Sequence, residues 1–281
     1  MLASYRAELI KLRKRSATWV LFGTAILLSL TFGYLIPYLG YVSGDDNIQT
    51  VGVPRAQVLA DMLPKAMTGN AIGGFPVFAG ALALVLGALL TGSEYGWGTL
   101  KTVLTQGPNR LAVLTAQFAA LLTALAGWVV ANFALSAAAS TAVALAQDQP
   151  LDWPSVADLA AGAGAGLLVL STWAVLGAVL ALLLRGVALP IGLGVVWVLG
   201  IEALFVGVTS SVLPDLDVVT DALPGVNAGS LVYAVLGPAI GDPPPGVRDA
   251  VSGTRALLTL TAYLLICLTT AALTQRRRDV V

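Results

Sequence analysis

Histidine is absent from the 281-residue sequence, and Cys267 is the only cysteine. Without histidine the chain can form no serine–histidine–aspartate or cysteine–histidine catalytic group, no histidine metal site and no histidine proton relay. One cysteine can form neither an internal disulfide nor a two-cysteine metal site, and Cys267 lies in an apolar run typical of a packing residue. We therefore expect neither catalysis nor metal binding by this chain.

Charge is scarce as well. Charged residues make up 11% of the chain, whereas about a quarter of an ordinary soluble domain is charged. Apolar residues make up 57%, and the mean hydropathy is +0.87. The apolar residues form long blocks separated by short polar segments, which is typical of a multi-pass membrane protein.

Six apolar blocks reach the length of about 20 residues that a transmembrane helix needs. The sequence therefore predicts an all-α integral membrane protein, with one transmembrane domain over residues 1–281 and six membrane-spanning helices. The predicted spans are about 18–39, 71–92, 111–146, 159–184, 187–208 and 256–275.

Basic and acidic residues are distributed unevenly between these blocks. With both termini in the cytoplasm, the cytoplasmic segments contain 11 of the 15 basic residues. The opposite side holds the other 4 together with 11 of the 15 acidic residues. Short loops rich in Lys and Arg stay on the cytoplasmic side, so we predict that both termini are cytoplasmic.

The segment 1–17 precedes the first span and is strongly basic. A helix over residues 2–16 would place Leu2, Tyr5, Leu9 and Leu12 on one face. We expect an amphipathic interfacial helix that lies on anionic lipid headgroups; the alternative is a plain basic flank of the first span. The candidate membrane-surface residues are Arg6, Lys11, Arg13, Lys14 and Arg15.

The segment 209–255 is too polar and too rich in proline to span the membrane, yet residues 223–240 are too apolar for a free loop. We predict a re-entrant element between spans 5 and 6 on the outer side. Such an element is tolerated only where protein or water covers its backbone.

No nucleotide-binding motif is present. A P-loop requires a lysine directly after a glycine, and none of the four lysines meets this condition. Gly162 and Gly166 lie inside the fourth predicted span, where small residues four apart favour close helix packing. If the protein performs work, the energy must therefore come from elsewhere.

The segment 93–110 joins spans 2 and 3 on the predicted cytoplasmic side. Residues 97–105 can form about two helical turns, which Gly107 and Pro108 would end. The residues alone support two interpretations equally, a short amphipathic helix that binds a soluble partner or a solvated connector.

A pattern in this segment resembles the permease subunits of ABC-2-type ATP-binding-cassette exporters. The pattern is E-x-x-x-G-T-x-[KR] followed by L-[ST]-x-x-P-x-R. It is supplied here by Glu94, Gly98, Thr99, Lys101, Leu104, Thr105, Pro108 and Arg110.

The resemblance implies that 93–110 is a coupling loop that docks on a separate ATPase, with candidate contacts at Glu94, Gly98, Thr99, Lys101 and Arg110. It also implies two copies of the ATP-binding subunit, which hold ATP and magnesium, while this chain binds no cofactor. A second permease subunit, identical or homologous, would complete the complex in a bacterial plasma membrane. We expect no nucleic-acid partner. Relatives export drugs, antibiotic peptides or lipid-like molecules, so a hydrophobic or amphipathic cargo is expected.

Glu202 is the only acidic residue inside a predicted span. At the bilayer centre such a charge costs about 2.5–3.5 kcal/mol on insertion scales, so its side chain should face protein or water. It could line the pathway or close an outer gate, or it could tie span 5 to the re-entrant element by a hydrogen bond. We favour the tie.

A second function is compatible with the sequence. The subunit could relay ATPase motion to an extracytoplasmic partner through residues 40–70 and 209–255 without moving a solute. An ion-coupled secondary transporter is disfavoured, because Glu202 is the only intramembrane acid and no inverted repeat is apparent.

Overall fold

The computed structural model describes residues 2–44, 47, 49–96, 109–212, 217–237 and 243–277. Within these ranges the chain is helical and contains no strand, so the predicted all-α class is confirmed. Six helical stretches are long and apolar enough to cross a membrane, which confirms the predicted number. They are span 1 (Ser16–Ser43), span 2 (Pro64–Glu94), span 3 (Arg110–Ala146), span 4 (Val156–Leu184), span 5 (Ala188–Thr209) and span 6 (Gly253–Arg276).

Shorter helices flank the spans. The N-terminal helix covers Leu2–Lys14, and the distal helix, Pro224–Leu236, lies between spans 5 and 6. Six crossings in series place both termini at one end of the bundle, the terminal end, and the distal helix at the other, the distal end. Among the described residues, the remaining short helices are Arg55–Ala60 and Asp217–Thr220.

Three spans contain one wide π-helical turn each. Span 1 runs as Ser16–Leu30, the π turn Thr31–Leu35 and Ile36–Ser43. Span 2 comprises Pro64–Ala66, Met67–Ile72, the π turn Phe75–Ala79 and Gly80–Gly96. Span 5 comprises Ala188–Val196, the π turn Trp197–Ile201 and Glu202–Val212. Pro76 lies inside the second of these turns, where a residue without an N–H group disturbs the regular α-helical bonding.

The ends of the spans carry recognisable caps. The Asn109 side chain accepts a hydrogen bond from the Leu111 amide at the start of span 3. Ser155 and Asp158 form a reciprocal capping box at the start of span 4. Span 1 ends at Gly44, whose φ of 74° is a conformation that glycine adopts without strain.

Spans 2 and 4 cross in backbone contact at the centre of the bundle. A Cβ atom on Gly87 would collide with the Ala174 carbonyl, and one on Gly177 would collide with the Leu84 carbonyl. The two glycines therefore set the distance between the helices from both sides. In a bilayer, close van der Waals packing of this kind drives helix association, because lipid tails are as apolar as the side chains.

Other small residues extend this contact toward the distal end. Gly162 faces Thr68, and Gly166 faces Ile72 and Phe75, so the predicted packing role of the glycine pair is confirmed. Spans 2 and 4 are mostly buried, whereas spans 1, 5 and 6 form the periphery and expose most of their apolar surface.

The distal helix is covered by its own chain. Eight of its 13 residues are buried, and it packs against spans 2, 4 and 6. Arg255 of span 6 forms a salt bridge with Asp221 at 3.0 Å, and the Tyr263 hydroxyl donates to the Ala222 carbonyl at 2.9 Å. Protein thus shields the backbone of this helix, which is what a non-spanning element at membrane depth requires.

The crossing of spans 2 and 4 predicts a sharp difference between two glycine substitutions. Gly177→Ala forces a methyl group into the Leu84 carbonyl and should destabilise the fold by about 1–3 kcal/mol, lowering the melting temperature of the detergent-purified protein. Gly127→Ala in span 3 is the control, because no described atom lies within 4 Å of the added carbon. Equal melting temperatures for the two variants would contradict the assigned crossing.

Candidate functional site

A compact set of charges joins the N-terminal helix to the end of span 2. The Lys11 ammonium donates to Glu8 Oε1 and to Glu94 Oε1, each at 2.7 Å. Arg15 donates to the Leu89 carbonyl at 2.8 Å and to Ser93 Oγ at 2.7 Å. We call Glu8, Lys11, Arg15 and Glu94 the charge cluster; it fixes span 2 immediately before the loop to span 3.

The acidic members of the charge cluster are buried. Glu8 is 4% exposed and Glu94 is 5% exposed. Burial raises the pKa of the Glu8 carboxyl, and the contact with Lys11 opposes this only in part. Burial also disfavours the charge on Lys11, but its hydrogen bonds to the two carboxylates outweigh this and raise its pKa. The lysine therefore remains charged between two acids.

The fold of the N-terminal helix explains how these charges meet. Tyr5, Glu8 and Leu12 lie three or four residues apart and share one helical face. Leu12 is buried in the main apolar core, and Tyr5 packs against that core. The Tyr5 hydroxyl is hydrogen-bonded to Thr123 Oγ1 of span 3 at 2.8 Å. The helix thus lies against span 3 and directs Glu8 and Lys11 toward Glu94.

The far end of the loop is also fixed. Asn109 caps span 3, and Arg110, its first residue, is half-buried. Of the predicted ATPase contacts, Glu94 and Arg110 therefore mark the two sides of the loop. Gly98, Thr99 and Lys101 lie outside the described residues.

Some basic side chains at the N-terminal helix are exposed, and others contact span 2. Arg6, Arg13 and Lys14 are exposed, whereas Lys11 and Arg15 turn toward span 2. Three of the four residues of the predicted apolar face are turned inward as well, since Tyr5, Leu9 and Leu12 pack in or against the core. The exposed large apolar residues of this helix are Leu2, from the predicted face, and Ile10, from outside it. The protein core and the lipid compete for the apolar face of this helix, and most of that face packs on the core.

Glu202 lies at the distal end of span 5, against the first turn of the distal helix. Its Oε1 accepts from the Val226 amide at 2.9 Å, and its Oε2 accepts from Trp197 Nε1 at 3.1 Å. A carboxylate beside the first amides of a helix also interacts favourably with the helix dipole. Glu202 therefore makes the kind of contact that the structural interpretation requires, and it is 5% exposed.

Sequence reasoning gave Glu8 no place in a site and interpreted Trp197 as a packing residue. A signal for Glu8 is present in the sequence, because it is the only acid among the first 44 residues. It also shares a face with Tyr5 and Leu12, and an acid on an apolar face predicts a buried basic partner. Trp197 lies five residues before Glu202, and this spacing brings two side chains together only in a π turn, which the sequence did not predict.

Comparison with known proteins gives one positive result. The family model described as ABC-2 family transporter protein matches residues 5–200, which include the N-terminal helix from Tyr5, the segment 93–110 and spans 1 to 4. A search of curated proteins finds no match.

The geometry at Glu202 predicts a graded loss of stability. Glu202→Ala leaves the buried Val226 amide and the Trp197 indole without an acceptor, and each orphaned donor costs about 1–3 kcal/mol. Glu202→Gln keeps one acceptor and should lose less. The melting temperature of the purified protein should therefore decrease from wild type to Glu202→Gln and again to Glu202→Ala. A Glu202→Ala variant as stable as wild type would contradict the assigned hydrogen bonds.

Proposed function

The chain belongs to the ABC-2 family of transporter proteins, and we propose that, as the permease subunit of an ATP-driven exporter, it forms the pathway for a hydrophobic or amphipathic cargo. Drugs, antibiotic peptides and lipid-like molecules are the expected classes. In this proposal a separate ATP-binding subunit, present in two copies, holds ATP and magnesium. A second permease subunit, identical or homologous, completes the complex in a bacterial plasma membrane, with both termini cytoplasmic.

The observation that carries the proposal is the anchoring of the loop between spans 2 and 3. The loop begins just after Glu94, which is bonded to the N-terminal helix, and ends at the cap of span 3. A force on a loop between fixed helices moves those helices, whereas a force on a loose connector is dissipated. The charge cluster therefore supports the assignment of 93–110 as the coupling loop.

Span 2 would carry this motion into the core. It crosses span 4 in backbone contact at Gly87 and Gly177, so the two spans move together. ATP binding that closes the ATPase dimer would push the loop and shift each bundle between inward- and outward-open states, a population shift driven by differential nucleotide affinity.

The apolar periphery supports the choice of cargo and partner. Spans 1 and 5 expose large apolar side chains such as Trp19, Leu27, Leu193 and Leu204. In a membrane these surfaces can face lipid, a second permease subunit or an apolar cargo. A charged solute would find no complementary group on the exposed surface of these two spans.

The distal end favours export over a relay to an external partner. A relay needs an accessible docking surface, but most of the distal helix is buried against its own bundle. Asp221, one of the acids proposed for such docking, is paired with Arg255. Asp215 and the side chain of Asp217 lie outside the described part of the chain.

Co-purification tests the partner and the coupling loop together. Tagged wild-type chain, extracted from its native membrane in mild detergent, should carry an ATP-binding subunit identifiable by mass spectrometry. Gly98→Pro combined with Arg110→Glu should lose at least about 90% of it, because a charge reversal at an interface adds repulsion to a lost contact.

Arg185→Glu provides the matched control, since it makes the same charge reversal at the exposed end of span 4. It should retain the ATPase. Equal retention by both variants would refute the contact residues, and the absence of any ATPase from the wild type would refute the permease assignment.

Reconstitution separates export from the relay. The purified complex in lipid vesicles should hydrolyse ATP faster, by about twofold or more, when an amphipathic drug or peptide cargo is added, because a bound cargo lowers the barrier to the conformational cycle. Vesicles with Gly98→Pro and Arg110→Glu serve as the uncoupled control. An external protein that co-purifies in fixed ratio, together with ATP turnover indifferent to every cargo, would favour the relay.

A further inference from the structure

Glu8 and Glu94 both accept a hydrogen bond from the same ammonium group, that of Lys11. Both Oε1 atoms lie 2.7 Å from Lys11 Nζ, so two buried carboxyl groups are held close together. We propose that Glu8 is a proton-binding site within the charge cluster, beside Lys11 and Glu94, and that proton uptake by Glu8 tightens the N-terminal helix on span 2. The proposal rests on the proposed function only in treating this junction as the anchor of the coupling loop.

The unused oxygen of Glu8 identifies the position of the proton. Glu8 Oε2 is fully buried and has no hydrogen-bond partner among the described residues. An ionised carboxylate is an acceptor on both oxygens, and a buried acceptor without a donor is costly. A proton on Oε2 leaves that oxygen without a partner but removes the buried negative charge, which is far more costly than a neutral polar group, and Oε1 still accepts from Lys11. The carboxylic acid thus fits the site better than the carboxylate does.

The surrounding charges act on Glu8 in both directions, and its burial outweighs them. On its own side, Glu8 faces Lys11 and Arg15, which stabilise the carboxylate, while Glu94 of span 2 repels it. Span 1 contains no charged residue, and Arg110 is the only one in span 3. Arg15 directs its guanidinium to the Leu89 carbonyl and to Ser93. Lys11 contacts both carboxylates directly, and Arg15 adds a second positive charge to the charge cluster.

The sign of the effect follows from the raised pKa of Glu8. An acid whose pKa is higher in the docked state than in the released state binds more protons when docked, so acidification favours docking. The stabilisation is complete below the ordinary glutamate pKa of 4.5 and is lost as the pH rises through the docked value. Acid pH should strengthen the anchor of the loop, and alkaline pH should loosen it.

Hydrogen–deuterium exchange of the purified chain in lipid nanodiscs tests this directly. Protection factors for residues 2–15, corrected for intrinsic exchange, should rise by about tenfold between pH 9 and pH 5, within the tenfold per pH unit that one linked proton allows. Glu8→Gln, which mimics the protonated acid, should show high protection that does not change with pH. Glu94→Gln removes the repulsion and should move the midpoint to lower pH.

Asp221→Asn removes an acid of the distal salt bridge and should leave the pH dependence of residues 2–15 unchanged. The proposal would be overturned if the protection factors of residues 2–15 in the wild-type chain did not change between pH 5 and pH 9. It would also be overturned if Glu8→Gln or Glu94→Gln showed the same pH profile as the wild type. The measurement needs no ATPase. A pH-dependent helix in a chain that captures no ATP-binding subunit would therefore refute the proposed function and leave the proton site intact.

Discussion

Backbone contact between spans 2 and 4 is the constraint on which the rest of the bundle depends. Lipid provides no hydrophobic force between helices, so the bundle needs a place where main chains approach closely, and Gly87 and Gly177 provide it. The distal helix packs on the same two spans, and the N-terminal helix is bonded to the end of span 2. Spans 1, 5 and 6 are arranged around this pair. A movement of span 2 would therefore also move span 4, the distal helix and the N-terminal helix.

Much of this architecture could be predicted from the sequence, because a membrane span is defined by length and hydropathy rather than by particular contacts. Five predicted spans lie inside the observed ones, and the fifth differs by one residue at each end. The crossing at Gly87 and Gly177 could not be predicted, since a chain with 30 glycines offers many equivalent close approaches. The π turns escaped prediction for a similar reason, because a regular α-helical period fits the same apolar residues.

At the charge cluster, the composition of the sequence predicts the family but not the partners of the basic residues. The pattern from Glu94 to Arg110 predicted the family, which the match over residues 5–200 shows. The same composition predicted that Lys11 and Arg15 face lipid headgroups, but both turn toward span 2. A basic residue near a membrane surface has two competing partners, phosphate groups and buried acids, and helical periodicity alone does not rank them. Glu8, the single acid on the apolar face, was the signal in the sequence that a basic residue of this helix has a buried partner.

The π turns change the helical pitch in spans 1 and 5 of the periphery and in span 2 of the core. A π turn holds one residue more than a regular α-helical turn. The segment beyond it is therefore rotated about the helix axis relative to the position that an unbroken α-helix would give it. Thr31–Leu35 in span 1 and Trp197–Ile201 in span 5 both lie in the poorly buried shell. These two turns thus set which side chains spans 1 and 5 show to the membrane, away from the glycine crossing that fixes the core.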